Sequence, residues 1–128
     1  HLISNNMAGP LPSEIQQLSA TRCLWLNRNQ LTGPIPAELG KLGALKALYL
    51  HTNQLTGSVP AELGRLPALT ELVLHNNQLS GPIPLELGKD LKQLVLYNNW
   101  LSGQEEFANY MSMHNPYCHV DLVDWDWK

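Results

Sequence analysis

The chain has little of what most chemistry needs. It holds two cysteines, one phenylalanine and a charged fraction of 15% in 128 residues. No CxxC, HExxH or GxSxG spacing occurs, and the Gly-Lys pairs at Gly40 and Gly88 lack the glycine-rich lead and following Ser or Thr of a phosphate-binding loop. Catalysis and a bound cofactor are therefore not expected. The net charge is −3 and the lysines and arginines read as scattered, which argues against nucleic acid. No apolar run approaches the roughly 18 residues of a membrane span, so no membrane insertion by this segment is expected. The start carries neither a signal-peptide pattern nor a Met.

What the chain does have is a period. Asn5, Asn29, Asn53, Asn77 and Asn99 stand at steps of 24, 24, 24 and 22 residues, each followed two positions later by Met7, Leu31, Leu55, Leu79 or Leu101. The best-preserved unit, LKALYLHTNQLTGSVPAELGRLPA from Leu45 to Ala68, places leucines at its first, fourth and sixth positions and Asn53 at its ninth. This LxxLxLxxNxL pattern resembles the leucine-rich repeat family. The continuations LTGPIPAELG, LTGSVPAELG and LSGPIPLELG resemble its plant-specific class. The resemblance implies an α/β repeat fold: a right-handed solenoid with a parallel concave sheet, short helical turns on the convex side and a helix-strand cap at the C-terminus.

Physical chemistry leads to the same shape. Around Leu48 and Leu50 apolar and polar residues alternate with period two, so the leucines of a strand point inward while Tyr49 and His51 point out. Each Asn stands where the chain leaves the strand, and its amide both donates and accepts, which fits it to satisfy backbone groups no strand partner reaches. Gly33, Gly57, Gly81 and Gly103 allow a tight turn, and the prolines after Leu11, Ile35, Val59 and Ile83 fix φ on the outer side. A short helical turn then carries Leu39, Leu63 or Leu87 into the core. A single coil closes no core of its own, so stability comes from stacking neighbours.

The expected organisation is about five coils over residues 1–103, the first incomplete, and a cap over 104–128. His1 opens in mid-coil, which predicts that the chain is a fragment of something longer. In the cap, Phe107, Tyr110, Met111 and His114 recur at helical spacing. Ser102 and Glu105 predict a capping box, Asn115-Pro116 the helix end, and His119 to Trp125 a closing strand. Cys23 and Cys118 precede the first and last full strands, on the order of 19 Å apart, too far for a disulfide. Relatives that are plant receptor ectodomains carry paired-cysteine caps and N-x-S/T glycosylation sites. Both are missing here, so the expectation leans to an intracellular setting.

Function must lie in what projects from the scaffold. Repeat register predicts concave columns: Trp25, Tyr49, Val73, Val95 and Asp121; then Ile3, Asn27, His51, His75, Tyr97 and Val123. Cys23, Ala47, Glu71 and Gln93 flank one side, and Ser4, Arg28, Thr52, Asn76 and Asn98 the other. Aromatic, imidazole and sparse charged groups are the composition of a protein-binding surface. The candidate contacts are Trp25, Asn27, Arg28, Tyr49, His51, Glu71, Val73, His75, Val95 and Tyr97, with a protein or peptide as partner and the domain serving as one module of a receptor or signalling protein. The rival readings are a structural spacer or regulatory cover for an attached domain, and carbohydrate or small-ligand binding by the aromatics. His51, His75 and Glu71 are a conceivable metal set, but repeat duplication explains the histidine pair more simply and no metal is expected. The open edge at His1 offers a homodimer contact.

Overall fold

Each coil begins with a strand because two leucines separated by one residue leave a single apolar face. The computed structural model describes residues 6–88 and 90–122. Ile3, Ser4, Asn5, Lys89, Val123 and Asp124 to Trp127 lie outside the described residues, as does the His1 edge invoked for a homodimer. The inner strands are β2 (Cys23–Trp25), β4 (Ala47–Tyr49), β6 (Glu71–Val73), β8 (Gln93–Val95) and β10 (His119–Asp121). They form one parallel sheet in the order β10-β8-β6-β4-β2. Leu48 pairs in register with Leu24 and Leu72, and Leu72 with Leu94. These leucines fill the core together with Leu50, Leu74, Leu55, Leu63 and Leu79, all buried.

After each Asn the chain makes a second strand, where sequence reasoning expected only a turn. These outer strands are β1 (Ala8–Pro10), β3 (Gln30–Pro34), β5 (Gln54–Thr56), β7 (Ser80–Pro82) and β9 (Trp100–Ser102). β1, β3 and β5 form one parallel sheet and β7 with β9 another. The glycines at their ends take positive φ, +75° at Gly33 and +77° at Gly57, which turns the chain toward the convex side at no Cβ penalty. Short 3-10 helices follow, Ala37–Lys41, Ala61–Arg65 and Leu85–Gly88, each opened by a proline carbonyl that accepts the N–H of Leu39, Leu63 or Leu87 at 3.1–3.2 Å.

The glycine that ends each LELG-type turn is there for contact with the next coil. A Cβ on Gly40 would stand 2.7 Å from the Cβ of Glu62, and one on Gly64 would overlap the backbone carbonyl of Glu86. Gly88 faces the helix α1 (Gln104–His114) instead, where a Cβ would meet Met111 Sδ at 2.6 Å and Tyr110 at 2.9 Å. The helix thus occupies the seat a further coil would take, and it buries Phe107 and Met111 there.

The capping box is not formed. Gly103, in the left-handed region, takes the N-cap and no side chain bonds there, because Ser102 still belongs to β9. Gln104 Nε2 donates to the Leu101 carbonyl at 2.7 Å instead. Helix α1 ends at His114 as expected, and the Asn115 amide donates to Leu91 O at 2.8 Å. Strand β10 adds His119–Asp121 to the sheet, with Val120 and Leu122 half-buried against the core.

Gly64→Ala is expected to lower stability by about 2 kcal/mol or more, the range for overpacking a close contact. Gly43→Ala should be near neutral, since nothing lies within 4 Å of its added Cβ. Urea unfolding of both variants checks this.

Candidate functional site

The inner sheet sets its outward residues in columns, and the first is carried by strand register. Trp25 pairs with Tyr49, Tyr49 with Val73, Val73 with Val95 and Val95 with Asp121. The second column follows from backbone bonds just past the strands: Arg28 N to His51 O at 3.1 Å, Thr52 N to His75 O at 3.0 Å, and Asn76 N to Tyr97 O at 3.1 Å. Asn27, His51, His75 and Tyr97 are thereby brought into line.

The rings of the two columns make one continuous ribbon. Trp25 and Tyr49 lie 6.0 Å apart between centroids, and Tyr49 and His51 5.9 Å. His51 stacks on His75 at 4.5 Å with 13° between planes, and His75 on Tyr97 at 4.5 Å with 19°. The Tyr49 hydroxyl donates to Glu71 Oε1 at 2.6 Å. That bond, more than burial, pushes the tyrosine up to about 12, so Tyr49 stays a fixed neutral donor. Glu71 is thereby held toward the ring ribbon. Among the described residues no group of three His, Cys, Asp or Glu side chains is placed to hold a metal ion. Stacking also sets the two imidazole planes nearly parallel, so their in-plane lone pairs run side by side and do not converge.

Not every expected contact is available. Asn27, Val73 and Val95 lie on this face by register but are buried, because their short side chains do not rise above the longer ones in neighbouring positions. Arg28 is exposed, and Trp25, Tyr49, His51, Glu71, His75 and Tyr97 are half-buried. Asn27 Oδ1, His51 Nδ1 and His75 Nδ1 are buried without hydrogen-bond partners among the described residues. Three consecutive members of one column thus carry an unmet polar atom, a cost of the kind retained at functional faces.

The flanking position holds strain that the sequence did not announce. Arg28 (φ 59°), Thr52 (φ 60°), Asn76 (φ 58°) and Asn98 (φ 55°) are all left-handed. Asparagine tolerates this and β-branched Thr52 does not. Asn98 Nδ2 also donates to Asn76 Oδ1 at 2.7 Å, which tethers that edge. Cys23 and Cys118 are free thiols at opposite edges of the sheet.

The stacked coils, the inner parallel sheet and the ring ribbon on its open face define a repeat solenoid that presents a surface. The leucine rich repeat family profile matches residues 19–79. No curated protein matches the chain. Solved structures do. The PEPR1-AtPEP1 structure is 36% identical with a TM-score of 0.84, over 96% of this chain and 17% of that one. The plant peptide hormone receptor RGFR1 in complex with RGF2 is 31% identical with a TM-score of 0.78, over 91% of this chain and 19% of that one. The BIR3-SERK2 complex from Arabidopsis thaliana is 29% identical with a TM-score of 0.80, over 97% of this chain and 66% of that one. The chain is a leucine-rich repeat array of the plant-specific type, and it spans under a fifth of the length of the first two structures.

Burial drives His51 down to about 4, with the nearby His75 and Arg28 adding to it, and burial lowers His75 against an opposing pull from Asp121. Both shifts favour the neutral ring in the folded state. Their stabilising contribution is complete above the ordinary histidine value of 6.5 and is lost as the pH falls toward about 4. A His51→Gln, His75→Gln variant should show a shallower loss of stability than the unaltered protein between those limits, measured by urea unfolding at each pH.

Proposed function

We propose that this domain recognises a protein or peptide segment laid across its concave sheet, as one module of a larger receptor or signalling protein. The observation that carries the reading is the ribbon of rings from Trp25 through Tyr49, His51 and His75 to Tyr97. Large rings on an open face serve no core, whereas rigid aromatic side chains supply binding area at small entropic cost. The Tyr49–Glu71 bond and the stacked imidazoles fix these rings before any partner arrives, which lowers the ordering cost of binding. Structures similar to this chain include a plant peptide hormone receptor bound to RGF2 and a complex of two proteins, BIR3 and SERK2, which supports a polypeptide as the partner class. The work proposed is recognition and not catalysis.

Peptides selected on the domain from a random display library test the reading. Their affinity should fall about tenfold or more on a Trp25→Ala, Tyr49→Ala, His51→Ala variant whose fold is verified by circular dichroism. Equal affinity for both proteins would refute recognition by this face and favour a spacer.

A further inference from the structure

Three cations that look scattered in the sequence are brought into one line by the coils. Arg22, Lys46, Thr70 and Lys92 occupy the same position, just before the inner strands β2, β4, β6 and β8, and Arg22, Lys46 and Lys92 are exposed. The column is locked by its backbone. Arg22 O accepts from Lys46 N at 2.7 Å and Ala47 N at 3.1 Å, Lys46 O from Thr70 N at 2.9 Å and Glu71 N at 3.1 Å, and Thr70 O from Lys92 N at 2.8 Å and Gln93 N at 3.1 Å. Thr70 Oγ1 adds a bond to Lys46 O at 3.3 Å. The result is a straight cationic rim along one margin of the aromatic face, on a chain whose net charge is −3.

We infer that this rim selects an acidic peptide, extended across the strands, with carboxylates on alternate residues. The inference rests on the concave-face reading and names the ligand chemistry it takes. Strands stack about 4.8 Å apart, so Arg22 to Lys92 covers three spacings, roughly 14 Å. An extended peptide rises about 3.4 Å per residue, so same-side residues i, i+2 and i+4 cover nearly the same span. Carboxylates there would meet Arg22, Lys46 and Lys92, while the opposite side chains point elsewhere. The nearest acidic neighbour in the sheet, Glu71, is turned toward the Tyr49 hydroxyl and leaves the rim cationic. Nucleic acid fits less well, since three cations are few against a phosphate backbone and Glu71 and Asp121 lie on the same face. The rim also acts at a distance, steering an acidic ligand toward the rings at low salt.

The test runs the same peptide-library selection on the unaltered domain and on an Arg22→Gln, Lys46→Gln, Lys92→Gln variant. These side chains are exposed, so the variant should fold, and circular dichroism verifies it. Peptides from the unaltered domain should be enriched in Asp and Glu at alternate positions and bind the variant about tenfold more weakly, with the difference shrinking at high salt. The variant should select peptides without that enrichment. Peptides from both proteins that lack acidic residues, yet still depend on Tyr49 and His51, would overturn the rim's role and leave the concave-face reading standing. Peptides indifferent to both sets of substitutions would overturn both. Rim-dependent retention of a short DNA duplex with no acidic enrichment among peptides would overturn the inference in favour of phosphate.

Discussion

The Asn53 amide donates to the carbonyl of Leu26 at 3.1 Å and to that of Leu50 at 3.0 Å, one in the preceding coil and one in its own. Its oxygen accepts from Asn29 N at 3.2 Å and Leu31 N at 3.1 Å. Asn77 repeats the arrangement toward Leu50 O, Leu74 O and Leu55 N, and Asn99 toward Leu74 O, Leu96 O and Leu79 N. Each side chain thus sews its coil to the one before it, at the point where the backbone leaves the inner sheet and its groups lose their strand partners. Leucine packing supplies the driving force, but it is non-directional. The amide is what fixes how one coil sits on the next.

That fixed offset is what makes columns, and columns are what make the face. Tyr49 meets Glu71 only because the two coils are held in register, and the same register brings His51 onto His75 and His75 onto Tyr97. The close seat of Gly64 against the Glu86 backbone sets the spacing on the convex side. At the far end α1 fits the same seat at Gly88, so the helix closes the core with Phe107 and Met111 without altering the stack beneath it.

Much of this was legible in the sequence. The spacing of the asparagines identified the coils, and the period-two leucines identified the inner strands and hence the order of Trp25, Tyr49 and Val73 along the sheet. The outer strands were missed because the glycine that marks a turn also ends a strand; the alternation of Gln30, Leu31 and Thr32 was the available signal. The capping box failed because a local motif lost to the repeat's own positive-φ glycine at Gly103. Depth was beyond a column listing: register gives a residue its direction but not its exposure, so Asn27, Val73 and Val95 looked accessible and are buried. The cationic rim was hidden for the opposite reason, since charges judged along the chain seem dispersed until they are read at the repeat period.

The most direct test of the asparagine's role is equilibrium urea unfolding of Asn53→Leu, which keeps the branched side-chain shape and removes the amide. The N–H groups of Asn29 and Leu31 would lose their acceptor, while the carbonyls of Leu26 and Leu50 keep the amides of Asn29 and Asn77, and buried groups left unpaired cost about 1–3 kcal/mol each. A loss of about 2 kcal/mol or more is predicted, with amide exchange accelerating first at Asn29 and Leu31. Stability within about 0.5 kcal/mol of the unaltered protein, the range of an ordinary surface change, would contradict the account and leave leucine packing alone to set the register.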